Sequence, residues 1–204
     1  MASIYLSSSA QQQLARISDI QSEPRRTLTP IQGYQNLPLV TLEKSIEPLT
    51  DLIEDIEAMA YNAVQQTQEL SAIPDGFTVN ESASLRLYSM EWKPGSLYTI
   101  LNRILRSEDR ELQEPFFYYL KLFLTALWKL PPTGRIHVQR GIKLDLSEEY
   151  PEGKTFTWWG CSSTTQSIKM LESEKFLGKG GIRTLFNIDC SSGKIIKYHS
   201  AYTH

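Results

Sequence analysis

The sequence predicts an α+β protein in which an N-terminal helical half packs on a strand-rich core. Three observations carry this. Apolar residues recur at three- and four-residue intervals from about 48 to 130, the period of helices with one buried face. After Pro131-Pro132 the spacing changes to alternation, in short β-branched and aromatic runs bounded by Gly and Ser. Helices gathered first and strands afterwards match an α+β domain rather than alternating βαβ units. The 204 residues suffice for one substantial domain, placed at 38–204 with a helical part at about 38–131 and a strand-rich part at about 132–204.

Residues 1–37 are polar, with Gln11-Gln12-Gln13, several serines and Pro24-Arg25-Arg26, and read as a flexible arm. Order is expected from Leu39-Val40-Thr41-Leu42. From Pro48, the apolar positions Leu49, Leu52, Ile53, Ile56, Met59, Ala60 and Ala63 predict a helix with Asp51, Glu54, Asp55 and Glu57 on its solvent face. Asn80 reads as the N-cap of a second helix through Leu85, Leu87, Tyr88 and Met90. Pro94-Gly95 breaks that pattern, and Ser96 opens a third through Tyr98, Leu101, Ile104 and Leu105. A fourth, from Pro115 to Leu130, is apolar on most faces and is expected to be the buried one; Pro131-Pro132 ends it.

Beyond the prolines, alternation predicts a strand from Arg135 to Gln139 that ends at Arg140-Gly141. An aromatic strand from Thr155 to Gly160 is expected to end in Cys161-Ser162-Ser163-Thr164-Thr165. A short amphipathic stretch with Ile168 and Leu171 follows, then the glycine-rich Gly178-Lys179-Gly180-Gly181, which allows a mobile loop. Residues 182–190 are expected to form a hairpin with 194–198 across Ser191-Ser192-Gly193. No internal repeat is evident.

Composition narrows the function classes. The formal net charge is −2, with Lys and Arg scattered rather than striped, so nothing argues for a nucleic-acid partner or an anionic membrane surface. No signal sequence opens the chain, and Lys121 and Lys129 interrupt the longest apolar run. Cys161 and Cys190 form neither a disulfide framework nor a metal-ligand spacing, so a reduced, cytoplasmic protein without metal is expected.

The candidate chemistry lies between Gly134 and Thr165. Arg140 offers a planar fork of donors suited to phosphate or carboxylate, and Gly141 beside it lets a ligand reach the backbone. The plainer alternative is a strand-end arginine paired with an acid such as Asp145. Ser162 to Thr165 supply hydroxyls that can hold a ribose or, alternatively, cap and turn into the next helix. No histidine–carboxylate pair stands near them to support a serine nucleophile. His137 reads as a structural or half-exposed strand residue, and His199 and His204 form no metal constellation with the cysteines. The glycine-rich loop lacks the Walker spacing. Of Trp158 and Trp159, which face opposite ways on a strand, at least one is expected in the core.

The order of a strand with Arg140-Gly141, then Trp158-Trp159-Gly160 leading to Ser163-Thr164-Thr165, resembles the arginine-specific mono-ADP-ribosyltransferases of the Arg-Ser-Glu class. Leu85-Arg86-Leu87-Tyr88-Ser89, Leu101-Asn102-Arg103-Ile104-Leu105-Arg106 and Tyr119-Leu120-Lys121-Leu122 look like the family's helical half, so the resemblance spans roughly 39–204. It implies an NAD-dependent transfer of ADP-ribose to a protein side chain, arginine by class, with release of nicotinamide. By position it implies that Arg140 anchors NAD through its phosphates and the Gly141 backbone holds the nicotinamide amide. Ser163, followed by Thr164 and Thr165 where the family has Thr-Ser, would support the nicotinamide ribose. Phe176 is the candidate aromatic lid on nicotinamide. NAD is the implied substrate; the protein acceptor is not specified.

The third family element, a Glu-x-Glu pair after a Ser-x-Tyr lead-in, would follow Ser200-Ala201-Tyr202. No acid follows Asp189 in the sequence. The expectation is therefore a chain ending at His204 before the catalytic glutamates and the family's last strands, with weak or no activity of its own. Cleaving a nicotinamide–ribose bond develops oxocarbenium character that a carboxylate stabilises. The alternative is a non-catalytic NAD-binding or protein-interaction module. Water as acceptor, giving NAD glycohydrolysis, is a weaker third.

Overall fold

The computed structural model describes residues 23–24, 27–172 and 177–202. Among the described residues, five α-helices come first: α1 (Leu42–Ile46), α2 (Ile56–Gln68), α3 (Val79–Ser89), α4 (Leu97–Arg106) and α5 (Phe117–Lys129). Then come strand β1 (Ile136–Ile142), the short helix α6 (Ile168–Leu171) and strand β2 (Thr184–Cys190). Helices therefore precede strands, as the change of period predicts. The strand content is lower than predicted: among the described residues the sheet has two strands, antiparallel, in a register running from Ile136↔Cys190 to Ile142↔Thr184.

The long helix expected from Pro48 is interrupted. A 3-10 turn at Glu47–Leu49 and a left-handed Asp55 (φ 61°) separate α1 from α2. Leu49, Ile53 and Ile56 nevertheless all reach the core, so helical spacing survives without a continuous helix. Thr41 caps α1 by accepting from Lys44 N, and Leu42 N donates to Asn80 Oδ1 at 2.8 Å. Asn80 thus caps a neighbouring helix rather than its own. The start of α3 belongs to Thr78 and Glu81, which form a reciprocal capping box with Glu81 Oε2 2.9 Å from Thr78 N.

The most enclosed helix is α3, not the apolar α5. Every residue from Glu81 to Ser89 is buried, whereas α5 leaves Trp128 78% exposed. The sequence of that run looks like a surface helix because it carries three serines together with Glu81 and Arg86. Two of the three serine hydroxyls bond inside the helix, however: Ser84 Oγ donates to Glu81 O and Ser89 Oγ to Arg86 O, each at 2.7 Å. A serine satisfied this way can be buried without an orphaned polar group. Around α3 the core gathers Leu42, Leu49 and Ile56 with Leu97, Leu101, Tyr119 and Phe123. Each such side chain contributes about 1.5–3 kcal/mol by leaving water.

Part of the stretch read as an arm lies against this layer. Leu28 is buried, Arg110 donates to Thr29 O at 2.6 Å, and Lys121 donates to Gln35 O at 2.7 Å. The aromatic stretch from Thr155 to Gly160 is not a strand: residues 154–159 have no regular structure. Ser191-Ser192-Gly193 does not close a hairpin either. Lys194 bridges to Pro132, and Lys197–His199 forms a 3-10 turn.

That turn docks the C-terminal segment on α3. His199 is fully buried, with Nδ1 2.9 Å from Ser82 Oγ, Nε2 3.0 Å from Asp75 Oδ2, and its ring stacked on Phe77. Arg86 Nη1 donates to Ser200 O at 3.0 Å, and Ala201 N donates to Ser89 Oγ at 2.7 Å. Positions 82, 86 and 89 share one helix face, so a single stripe holds three consecutive residues. Among the described residues, no helix is long and apolar enough to cross a membrane, and no group of His, Cys, Asp and Glu could hold a metal ion.

Candidate functional site

Arg140 lies within β1, two residues before its end, rather than beyond it. Alternation puts Val138, Arg140 and Ile142 on the face that packs on the small second core. Its side chain is 5% exposed. The guanidinium donates from Nη1 to Ser163 O at 3.0 Å and stands 5.9 Å from the Trp158 ring. Trp158 in turn meets Phe186 edge to face at 5.3 Å and donates to Tyr150 Oη at 3.1 Å. An aromatic wall therefore encloses a permanent cation where the dielectric is low and its field reaches further. The plainer pairing with Asp145 does not describe that carboxylate, which accepts from Ser147 N (3.0 Å) and Ser147 Oγ (2.7 Å).

Two backbone bonds join Gln139 and Thr165, at 2.7 and 2.9 Å, in an antiparallel bridge. Along a ladder, the N–H and C=O groups of successive residues point to alternate edges. Those of Gly141 therefore point to the same edge as those of Gln139, away from β2. The register of the Gln139–Thr165 bridge sets Gly141 opposite Ser163. The bridge does not continue there, and the Ser163 carbonyl accepts from Arg140 instead. The N–H and C=O of Gly141 thus lie on the strand edge turned toward Ser163. That combination suits a primary carboxamide, which has one of each.

On the sheet face, what approaches Gly141 is protein. A Cβ at Gly141 would stand 2.7 Å from Leu177 Cδ2 and 3.1 Å from Cδ1, and Leu177 is buried. Leu177, Leu171, Ile168 and Leu185 line a cleft on this face. The cations at its rim are engaged: Lys179 pairs with Glu172 at 3.2 Å, and Arg183 donates to the carbonyls of Gly178 and Gly181. The glycine-rich stretch behaves here as a loop.

In the hydroxyl cluster, Ser163 and Thr164 are exposed. Thr165 does what a turn former does: its backbone pairs with Gln139 and its Oγ1 accepts from Ser167 N at 3.1 Å. Ser162 Oγ is buried with no hydrogen-bond partner among the described residues. Phe176 lies outside the described residues. His137 is exposed and pairs with Asp189 across the ladder.

Sequence reasoning missed what holds this loop. Asn102 Oδ1 accepts from Cys161 N at 2.9 Å, and its Nδ2 donates to Cys161 O at 3.3 Å. Tyr88 Oη donates to the same carbonyl at 3.2 Å. Glu23 accepts from Trp159 N at 3.1 Å and pairs with Arg106 at 2.5 Å. A Cβ at Gly160 would come 2.7 Å from Arg106 Nη2. The signal was present as Leu101-Asn102 inside an amphipathic helix, where a polar residue falls on the buried face. Burial pushes the Cys161 thiol up to about 11, although Tyr88 and Arg106 oppose this. Half-buried against the helical core, it is held as a thiol rather than a thiolate nucleophile.

No family model and no curated protein matches the sequence. Among solved structures, the crystal structure of the eucaryotic mono-ADP-ribosyltransferase ART2.2 matches with a TM-score of 0.58 at 23% identity. The match covers 79% of this chain and 69% of that one. The likeness is one of fold.

Proposed function

We propose that this chain carries the NAD site of a mono-ADP-ribosyltransferase of the Arg-Ser-Glu class, acting on a protein side chain and by class on arginine. The observation that supports this best is the buried Arg140 bonded to the Ser163 carbonyl, with the peptide edge of Gly141 facing the same serine. The likeness of fold to a mono-ADP-ribosyltransferase adds to it. Arg140 supplies fixed positive charge for the diphosphate, Gly141 reads the carboxamide, and the Ser163 hydroxyl supports the nicotinamide ribose. Thr164 extends the hydroxyl surface, Thr165 anchors it to β1, and Phe176 remains the proposed aromatic cover for nicotinamide.

Breaking the glycosidic bond places positive charge on the ribose carbon, and one preorganised electrostatic partner there is worth about a hundredfold to a thousandfold in rate. A second reading is a non-catalytic NAD-binding or interaction module, which binding of NAD without release of nicotinamide would favour.

Calorimetry with NAD tests the binding site: wild type binds, and Arg140→Ala loses at least tenfold in affinity. Equal affinity in the two proteins, or no binding by wild type, rejects the assignment. Nicotinamide release and label transfer from NAD to a protein mixture then separate the two readings. Binding without either activity favours the module.

A further inference from the structure

We propose that Asn102 is a positioning residue for the Arg140–Ser163 pair, a role that rests on the NAD reading above. Its amide engages both polar groups of one peptide, accepting from Cys161 N and donating to Cys161 O. This is how a strand neighbour would hold the segment, except that the partner is a helix side chain. Tyr88 of α3 reinforces it, with Oη 3.2 Å from Cys161 O and 3.3 Å from Asn102 Oδ1. Asn102 is 1% exposed, and a buried amide held at both ends has one orientation.

Residues 154–164 belong to no strand or helix, so side chains must fix their course. Upstream, Glu23 holds Trp159 N. Gly160 lets the backbone approach Arg106 and Asn102, whose Oδ1 would stand 3.0 Å from an added Cβ. Downstream, Ser163 lies two positions after the Cys161 anchor, and the Thr165 bridge to β1 lies two positions further. Two residues span at most about 7 Å, so the Ser163 carbonyl has little freedom once both anchors are made. The helical layer thereby sets where the guanidinium of Arg140 rests. Asn102 thus acts on Ser163 through the backbone it holds at Cys161.

Two readouts test this on the full chain: amide exchange at Gln139 and Thr165, and the dissociation constant for NAD. The variants are Asn102→Ala, the milder Tyr88→Phe, and Leu49→Ala as a control of comparable stability loss remote from the loop. Under folded conditions, Asn102→Ala is expected to speed exchange at both amides and weaken NAD about tenfold. Tyr88→Phe should do the same by a smaller factor, and Leu49→Ala should do neither. Unchanged exchange in Asn102→Ala, or faster exchange with wild-type NAD affinity, overturns the proposal. If Asn102→Ala does not fold, Tyr88→Phe is judged by the same criteria. A wild type that binds no NAD defeats the NAD reading and this role with it, while the exchange data still report whether the clamp holds the loop.

Discussion

Glu81 and Lys129 join the first turn of one central helix to the last turn of another, with Oε1 and Nζ 2.6 Å apart. The other carboxylate oxygen closes the Thr78 capping box. Burial alone pushes the Glu81 carboxyl up, but the hydrogen bonds from Lys129 and Thr78 outweigh it and hold the group below its usual value. A depressed folded-state value means that the stabilisation is complete above the unfolded-state value and is lost as pH falls through the folded one. Glu81→Gln should lower stability at pH 7 by about 2 kcal/mol. Urea unfolding should show the gap between variant and wild type closing as pH is lowered toward 3.

Gly141→Ala places a methyl group against Leu177, whose nearest carbon would be 2.7 Å away. Overpacking of this kind costs about 1–3 kcal/mol. Leu177→Ala removes the obstacle, so the double variant should be more stable than the two single losses predict when added. Denaturant unfolding of the four proteins measures the coupling, and additive losses would show that the two groups do not meet.

Removing the His199 ring leaves Ser82 Oγ and the Asp75 carboxylate without that partner and empties space against Phe77. His199→Ala should cost about 3 kcal/mol. Amide exchange should rise first at residues 199–201, ahead of the helices. A uniform rise would mean that the segment is not separately docked.

With its thiol raised to about 11, Cys161 should resist iodoacetamide in the native protein at pH 8, where roughly one molecule in a thousand carries the thiolate. Mass spectrometry should find Cys161 unmodified in native protein and alkylated in denaturant. Rapid native alkylation would contradict the burial.

The legible parts of the fold were those in which burial follows hydrophobicity. Leu97, Leu101 and Leu105 fall on the buried face of α4 as the spacing requires, and Pro115 and Pro131 bracket α5. The enclosed α3 was illegible because Ser84 and Ser89 bond to their own helix and Ser82 to His199, so none of the three needs solvent. Thr155 to Gly160 has strand composition, yet side chains from the helical layer hold the backbone of Trp159 and Cys161 in place of a ladder. At the site, the residues that meet were legible and the atoms were not. Arg140 finds Ser163 through a main-chain carbonyl, and Gly141 accommodates a leucine on its sheet face. Neither is written in residue type.

The cap that Asn80 places on α1 has a consequence for assembly. Five residues are too few to persist as a helix alone, because nucleation fixes several dihedral angles for a single hydrogen bond. The acceptor for Leu42 N comes from a residue 38 positions later in the chain. The start of α1 is thus completed only once α3 stands beside it. That short helix therefore depends on a tertiary contact for the cap on its first residue.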